Sequence, residues 1–172
     1  MKNQELILRN CPYNRTKKKI FKNAIREFIN KELIDIPIKL IIDFNGPKKA
    51  GKTTYYQGLM DLYNLDTFEC NISLNYFFEF DNINNSEDCL WGIFHELIHV
   101  KQLYTKELII SKDGEFVLFR DQLFKKLPFR IKEFARLFDV DRCAATKYHM
   151  ECIPWEKDPY AYSDQYTSVV SH

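Results

Sequence analysis

Ser86-Glu87-Asp88-Cys89-Leu90-Trp91-Gly92-Ile93-Phe94-His95-Glu96-Leu97-Ile98-His99-Val100-Lys101-Gln102-Leu103-Tyr104 is the stretch on which a reading of this chain turns. Leu90, Ile93, Leu97, Val100 and Tyr104 recur at helical spacing, and Phe94 and Ile98 widen the stripe, which predicts an amphipathic helix over residues 86–106. Asn85 or Ser86 is suited to cap it, and Glu87 and Asp88 suit the positive end of its dipole. A second face carries Trp91, His95, His99 and Gln102. Within this helix, His95-Glu96-Leu97-Ile98-His99 is an H-E-x-x-H pattern. Residues four apart on a helix stand one turn above each other, with Cβ atoms about 5–6 Å apart. Two imidazoles so placed can both reach one Zn²⁺ at roughly 2.0–2.1 Å. Glu96 can lean over that ion without binding it and take a proton from water activated there. The plainer reading is a helix with two surface histidines and a salt-bridging Glu. Apolar neighbours on both sides of the histidines favour a recessed metal site.

A hydrolytic zinc site needs three protein ligands and one open position. The extended pattern H-E-x-x-H-x-x-G-x-x-H would need Gly at 102 and His at 105. Gln102 and Thr105 stand there, which excludes a metzincin. The third ligand must therefore come from later in the chain, and the candidates are His149, Glu151, Glu156 and Asp158. The segment from Cys152 to Tyr162 reads as the start of a helix, with Pro154 near its first position. Acidic residues in such a first turn can also serve only the helix dipole, so Glu156 and Asp158 carry two readings.

His95 to Leu108 (HELIHVKQLYTKEL) and Pro154 to Tyr160 (PWEKDPY) together resemble a group of small zincin-like proteins of tailed phages and large viruses. That group carries H-E-x-x-H-V-K-Q-Y-x-x-x-E-L and then P-W-E-x-E-A-Y. A weaker match runs through Gly58-Leu59 and Ile72-Ser73-Leu74-Asn75; residues 110–150 match poorly. The resemblance implies a gluzincin-like metallopeptidase whose third ligand is a Glu at the start of a later helix. By position that Glu is Glu156. Asp158 and Pro159 replace the Glu and Ala of the pattern, and Pro159 is awkward inside a helix because it lacks a donor and crowds the previous turn. This departure leaves Asp158 as a rival, and His149 as another on the pattern of SprT-like proteases with a third His.

The 172 residues are expected to form a single domain with a proper core, given 45% hydrophobic and 15% aromatic content. The formal net charge of +1 gives no global attraction to nucleic acid or membrane. The basic run Arg15-Thr16-Lys17-Lys18-Lys19 opens a helix expected over Thr16 to Leu33, where a solvated face is the default reading. Five cysteines without a C-x-x-C argue against both a disulfide framework and a cysteine zinc knuckle. No apolar signal region follows Met1, and no stretch approaches the roughly 20 apolar residues of a membrane span. The expectation is a soluble, cytoplasmic protein, virus-encoded if the resemblance holds.

The coarse organisation is α+β. Ile20, Phe21, Ala24, Ile25, Phe28 and Ile29 mark the N-terminal helix, and Ile38 to Phe44 is a strong strand. Thr53 to Tyr56 reads as a second strand, and Phe68 to Phe80 as holding at least one more. After the H-E-x-x-H helix, Glu115 to Phe119 fits a short strand or part of a helix. Leu123 to Phe138 reads helical apart from Pro128, Asp141 to Cys152 reads helical, and the tail after Ser163 reads as loose. This is the order of a minimal zincin core: N-terminal helix, small mainly antiparallel sheet, H-E-x-x-H helix, C-terminal helices. The antiparallel expectation rests on connections too short for crossover helices. An edge strand, with Ile72 to Tyr76 as the candidate, would hold an extended peptide by backbone pairing.

Gly46-Pro47-Lys48-Lys49-Ala50-Gly51-Lys52-Thr53 also matches the nucleotide-binding pattern G-x-x-x-x-G-K-[ST] and follows a strand, with Tyr76 to Asp81 as a candidate partner strand. Against it, Thr54-Tyr55-Tyr56-Gln57-Gly58 is a poor helix start, and the chain lacks the alternating rhythm of a P-loop fold. The leading expectation is a zinc-dependent peptide hydrolase with His95, His99 and Glu156 as ligands and Glu96 as general base. Tyr160 or Tyr148 would be a second electrophile. Its partner would be a peptide or protein, with neither nucleic acid nor membrane involved. The alternatives are a P-loop-type nucleotide binder using residues 46–53, and a zincin-fold interaction module without turnover.

Overall fold

The computed structural model describes residues 4–44, 63–74, 86–113, 115–125 and 153–170. Strand β1 (Gln4–Arg9), helix α1 (Arg15–Glu32) and strand β2 (Ile38–Asp43) form a β-α-β unit, with β1 and β2 parallel and in register from Gln4 opposite Ile38 to Arg9 opposite Asp43. Asn14 caps α1, its side chain accepting a hydrogen bond from the Lys17 amide at 2.9 Å. Phe21, Ile25, Phe28 and Ile29 form the buried face of α1, while Arg15 and Lys19 stand exposed.

Strands β3 (Tyr63–Asn64) and β4 (Glu69–Ser73) complete a four-stranded sheet of order β1-β2-β4-β3. β2 pairs with β4 in parallel, and only β3 runs antiparallel. The sheet is therefore mainly parallel, against the antiparallel expectation. The reason is a missed strand. Gln4 to Arg9 lies on the sheet edge and is mostly exposed or half-buried, so it carries little alternation to read. Once β1 is counted, α1 is the crossover that a parallel pair requires. β2 lies at the sheet centre and buries Ile38, Leu40, Ile41 and Ile42, which explains its near-continuous apolar run. Ile72, the expected edge residue, sits in β4, between β2 and β3 in the strand order. Tyr76 lies outside the described residues, as do residues 46–53, Thr53 to Tyr56, Tyr76 to Asp81, Tyr148, His149, Glu151 and the helix expected over Asp141 to Cys152.

Helix α2 (Ser86–Tyr104) follows, close to its expected limits. It is less amphipathic than its apolar stripe suggests: nearly every residue from Cys89 to Leu103 is buried, both histidines included. Such a helix must be covered on more than one side. α1 and β4 contact it, with Phe28 stacked on Phe94 at 4.5 Å between ring centroids and 7° between planes. The C-terminal helix α3 (Pro154–Val170) packs along α2 more extensively than any other element. The tail after Ser163 is thus helical, contrary to expectation. Tyr166 holds it, packing edge-on against Phe28 and donating its hydroxyl to Glu32 Oε1 at 2.6 Å.

Between α2 and α3 in sequence lies an antiparallel meander, β5 (Leu108–Ile110), β6 (Phe116–Phe119) and β7 (Gln122–Lys125). Leu123, Phe124 and Lys125 are therefore strand, where a helix from Leu123 was expected. Arg120 and Asp121, at φ 47° and 65°, make a two-residue turn between β6 and β7. Both central residues of such a turn need positive φ, usually signalled by Asn-Gly, and Arg-Asp gives no such signal. The fold is thus α+β, with three helices and two small sheets among the described residues. No helix of the described residues is long and apolar enough to cross a membrane.

The aromatic contact between α1 and α2 lies at the centre of this packing. Phe28→Ala is expected to lower the unfolding free energy by about 3–5 kcal/mol in denaturant melts. Leu123→Ala, at a side chain 69% exposed, is expected to change it by less than about 0.5 kcal/mol.

Candidate metal site

α2 supplies His95 and His99 one turn apart, and α3 brings Glu156 onto them. His95 Nε2 lies 3.0 Å from Glu156 Oε2, His99 Nε2 lies 3.3 Å from the same oxygen, and the two Nε2 atoms are 3.3 Å apart. All three residues are at least 94% buried. Together they form a His95-His99-Glu156 group that could hold a metal ion. Two ring nitrogens and a carboxylate oxygen converge on one point, which suits a shared cation better than hydrogen bonding alone.

Local sequence explains how Glu156 arrives there. Pro154 occupies the first helical position, where its missing N–H costs nothing. The Glu156 amide closes the first turn on the Ile153 carbonyl at 3.0 Å. Ile153 and Trp155 are buried, and Trp155 meets Phe119 and Phe124 edge-on, at 6.5 and 5.6 Å. The meander thus seats the start of α3. Asp158, the rival ligand, is turned away: residues two apart on a helix do not share a face. Its carboxylate pairs with the Arg120 guanidinium, which also contacts Glu107 Oε2 at 3.1 Å.

Each imidazole has further contacts. His99 Nδ1 lies 2.9 Å from Gln102 Oε1, and Gln102 Nε2 donates to the Trp155 carbonyl at 3.0 Å. A carbonyl only accepts, so the amide must turn its NH₂ toward Trp155 and its oxygen toward the ring. Gln102 Oε1 thus accepts from His99 Nδ1–H, and with Nε2 turned to a bound cation the ring's proton would stay on Nδ1. His95 forms a cluster with two aromatic rings: Trp91 is stacked on it at 5.4 Å, Tyr160 stands edge-on at 4.7 Å, and the two meet each other at 5.3 Å. Trp91 Nε1 in turn donates to Asp164 on α3 at 2.8 Å. Burial first, then the carboxylates of Glu156 and Glu96, raise the Tyr160 phenol pKa, so Tyr160 keeps its proton at neutral pH. Glu96 is buried beside the ligands, near enough for its charge to act on His99 as well as Tyr160.

The sequence had brought forward His95, Glu96, His99, Glu156 and Tyr160, and all five lie together. It missed Gln102 as a partner of His99, although a Gln three residues after the second His on the same helix was the available signal. It also missed Trp155, whose contribution is a backbone carbonyl and leaves no mark on side-chain identity. A scan of protein-family models returned no match to this chain, and no curated protein and no solved structure is significantly similar to it.

Burial alone would lower the His99 pKa, but the adjoining Glu156 carboxylate overrides it and pushes the imidazole up to about 9. The Glu156 carboxyl, which burial would raise, is held well below the usual carboxylate range by His99 and His95. In the metal-free protein, the raised His99 pKa contributes stability that is complete below the ordinary value of 6.5 and is lost as pH rises through about 9. The lowered Glu156 pKa contributes stability present above its ordinary value of 4.5 and lost as pH falls through the folded one. Chelator-treated protein is therefore expected to show a denaturation midpoint that declines from pH 6.5 to 9. His99→Gln should flatten that decline, and an unchanged decline would mean that another group causes it.

Proposed function

We propose that this chain is a zinc-dependent hydrolase of peptide bonds with a gluzincin-like ligand set, His95 and His99 from one helix and Glu156 from the next. The observation that carries the reading is the size of the ligand triangle. Four ligands placed tetrahedrally at roughly 2.0–2.1 Å from a zinc ion lie about 3.3 Å from one another. The three ligand atoms here are separated by 3.0, 3.3 and 3.3 Å. Three protein ligands leave a fourth position open, as catalytic rather than structural sites do.

Bound there, zinc would supply an activated water and polarise a substrate carbonyl. The protein's own groups divide the remaining work. Glu96 follows the first ligand directly in sequence and is the general base, receiving a proton and returning it to the leaving nitrogen. The Tyr160 phenol, kept protonated beside His95, is the donor that would stabilise negative charge developing on the carbonyl oxygen. The Gln102 amide holds His99 with Nε2 toward the metal. Trp91 and the α2–α3 packing keep the surroundings of His95 apolar, which strengthens each of these electrostatic contributions. The arrangement of N-terminal helix, sheet, H-E-x-x-H helix and a later helix carrying Glu156 supports a zincin-type core, with a mainly parallel sheet.

Metal analysis of the purified chain is expected to find about one zinc per molecule, and none after His95→Ala with His99→Ala. Glu96→Gln should retain the zinc while lowering turnover of a fluorogenic peptide library by about 10²–10⁴-fold. Full activity in Glu96→Gln would remove Glu96 from the mechanism, and failure of the wild type to bind zinc would remove the metal.

A further inference from the structure

Pro159 stands inside α3, at a place where proline is unfavourable. Had residue 159 an N–H, that group would bond the carbonyl four residues earlier, which is Trp155. Proline lacks the donor, and its ring crowds that same carbonyl and pushes it off the helix axis. The Trp155 carbonyl is the one to which Gln102 donates, at 3.0 Å, while its other amide atom meets His99 Nδ1 at 2.9 Å. Gln102 is 3% exposed, so its polar atoms have little access to water as a substitute partner.

We propose that Pro159 is a positioning residue for His99: by withholding its own N–H it reserves the Trp155 carbonyl for Gln102, and Gln102 thereby fixes the tautomer and orientation of the ring. The proline is part of the site without itself being one of the three metal-binding residues. The helix gives up one backbone hydrogen bond, and the freed acceptor binds a side chain from the neighbouring helix instead. The same contact ties α2 to α3 next to Glu156, so ring orientation and approach of the third ligand are set together. The positioning function rests on the zinc reading above, but the coupling of Pro159 to the His99 tautomer can be measured without any metal.

The test compares Gln102→Leu, Gln102→Glu and Pro159→Ala with the parent chain, for zinc affinity in the wild-type background and for the tautomer in a Glu156→Gln background, which removes the carboxylate that otherwise competes for a proton on His99 Nε2. Nitrogen-15 spectra of the imidazoles, recorded on metal-free protein at about pH 10, above the raised His99 pKa, report which ring nitrogen holds the proton. The Glu156→Gln parent should hold it on Nδ1. Gln102→Leu should lose that preference, and Gln102→Glu should keep it through the retained acceptor. Pro159→Ala should weaken it, because the backbone N–H restored by that substitution competes for the Trp155 carbonyl. Zinc affinity, from competition with a chromophoric chelator, should fall by about 10–100-fold in Gln102→Leu and by less in Pro159→Ala. A Pro159→Ala protein with an unchanged tautomer and unchanged zinc affinity would overturn the proposal, since alanine is the better helix former and a merely tolerated proline would leave both readouts alone. Absence of zinc binding in wild type with the tautomer shifts intact would overturn the metal reading and the zinc-positioning role, leaving the coupling of Pro159 to the ring in place.

Discussion

The packing of α3 along α2 is the constraint on which the rest of the structure depends. α2 alone provides two imidazoles one turn apart, and a carboxylate must come from elsewhere to close the group. The start of α3 delivers it, held from one side by Trp155 against the meander and from another by Gln102 on the Trp155 carbonyl. Farther along, Tyr166 reaches Glu32 and Phe28 on α1, and Trp91 reaches Asp164. Each contact spans long sequence separations, so the site exists only once the helices have docked. Apolar burial across that interface offsets the cost of bringing three polar groups out of water.

The mainly parallel sheet contributes by packing against α2 through β4. β2 turns Ile38, Leu40 and Ile42 into the core shared with α1 and α2, while Lys39 and Asp43 lie half-buried on its other face. A helix buried nearly all round cannot be recognised from its moment, but it can from composition. Between Cys89 and Leu103 only His95, Glu96, His99, Lys101 and Gln102 are strongly polar. Four of these five are buried, and all four belong to the site or adjoin it. A buried helix that tolerates polar residues at one place only is a stronger indication of a site than the five-residue pattern by itself.

How much of this was legible beforehand varied with the kind of information involved. Helices α1 and α2 could be read because periodicity marks them over many residues, and strand β2 because three of its six residues are isoleucine between turn signals. β1 could not, since in this edge strand only Leu6 and Leu8 turn toward the core and Ile7 between them is apolar too, which leaves little alternation, and without it the direction of the sheet came out wrong. The β6–β7 hairpin was hidden because Arg120 and Asp121 adopt positive φ without glycine, while the Arg120 side chain is fastened to Asp158 and Glu107. The helical tail was hidden because its stability comes from Tyr166 on α1, a partner more than a hundred residues distant in sequence. In the site, His95 and His99 were fixed by local spacing alone. Glu156 needed the resemblance to be chosen over Asp158, and helix geometry supplies the reason: two residues further on, a carboxylate faces the other way.

Several choices around the site are poor ones for stability taken singly. A proline in a helix interior costs about 3 kcal/mol relative to alanine. A carboxylate and two imidazoles buried together lose hydration that their mutual attraction only partly restores, and apolar residues of similar volume often do better. Gln102 is buried where a leucine would pack without needing two partners. These departures interlock: Pro159 frees a carbonyl, the carbonyl holds Gln102, Gln102 holds His99, and His99 meets Glu156. Mutually dependent, they fit a site in which the geometry of a few polar atoms matters more than the stability of the helices that carry them.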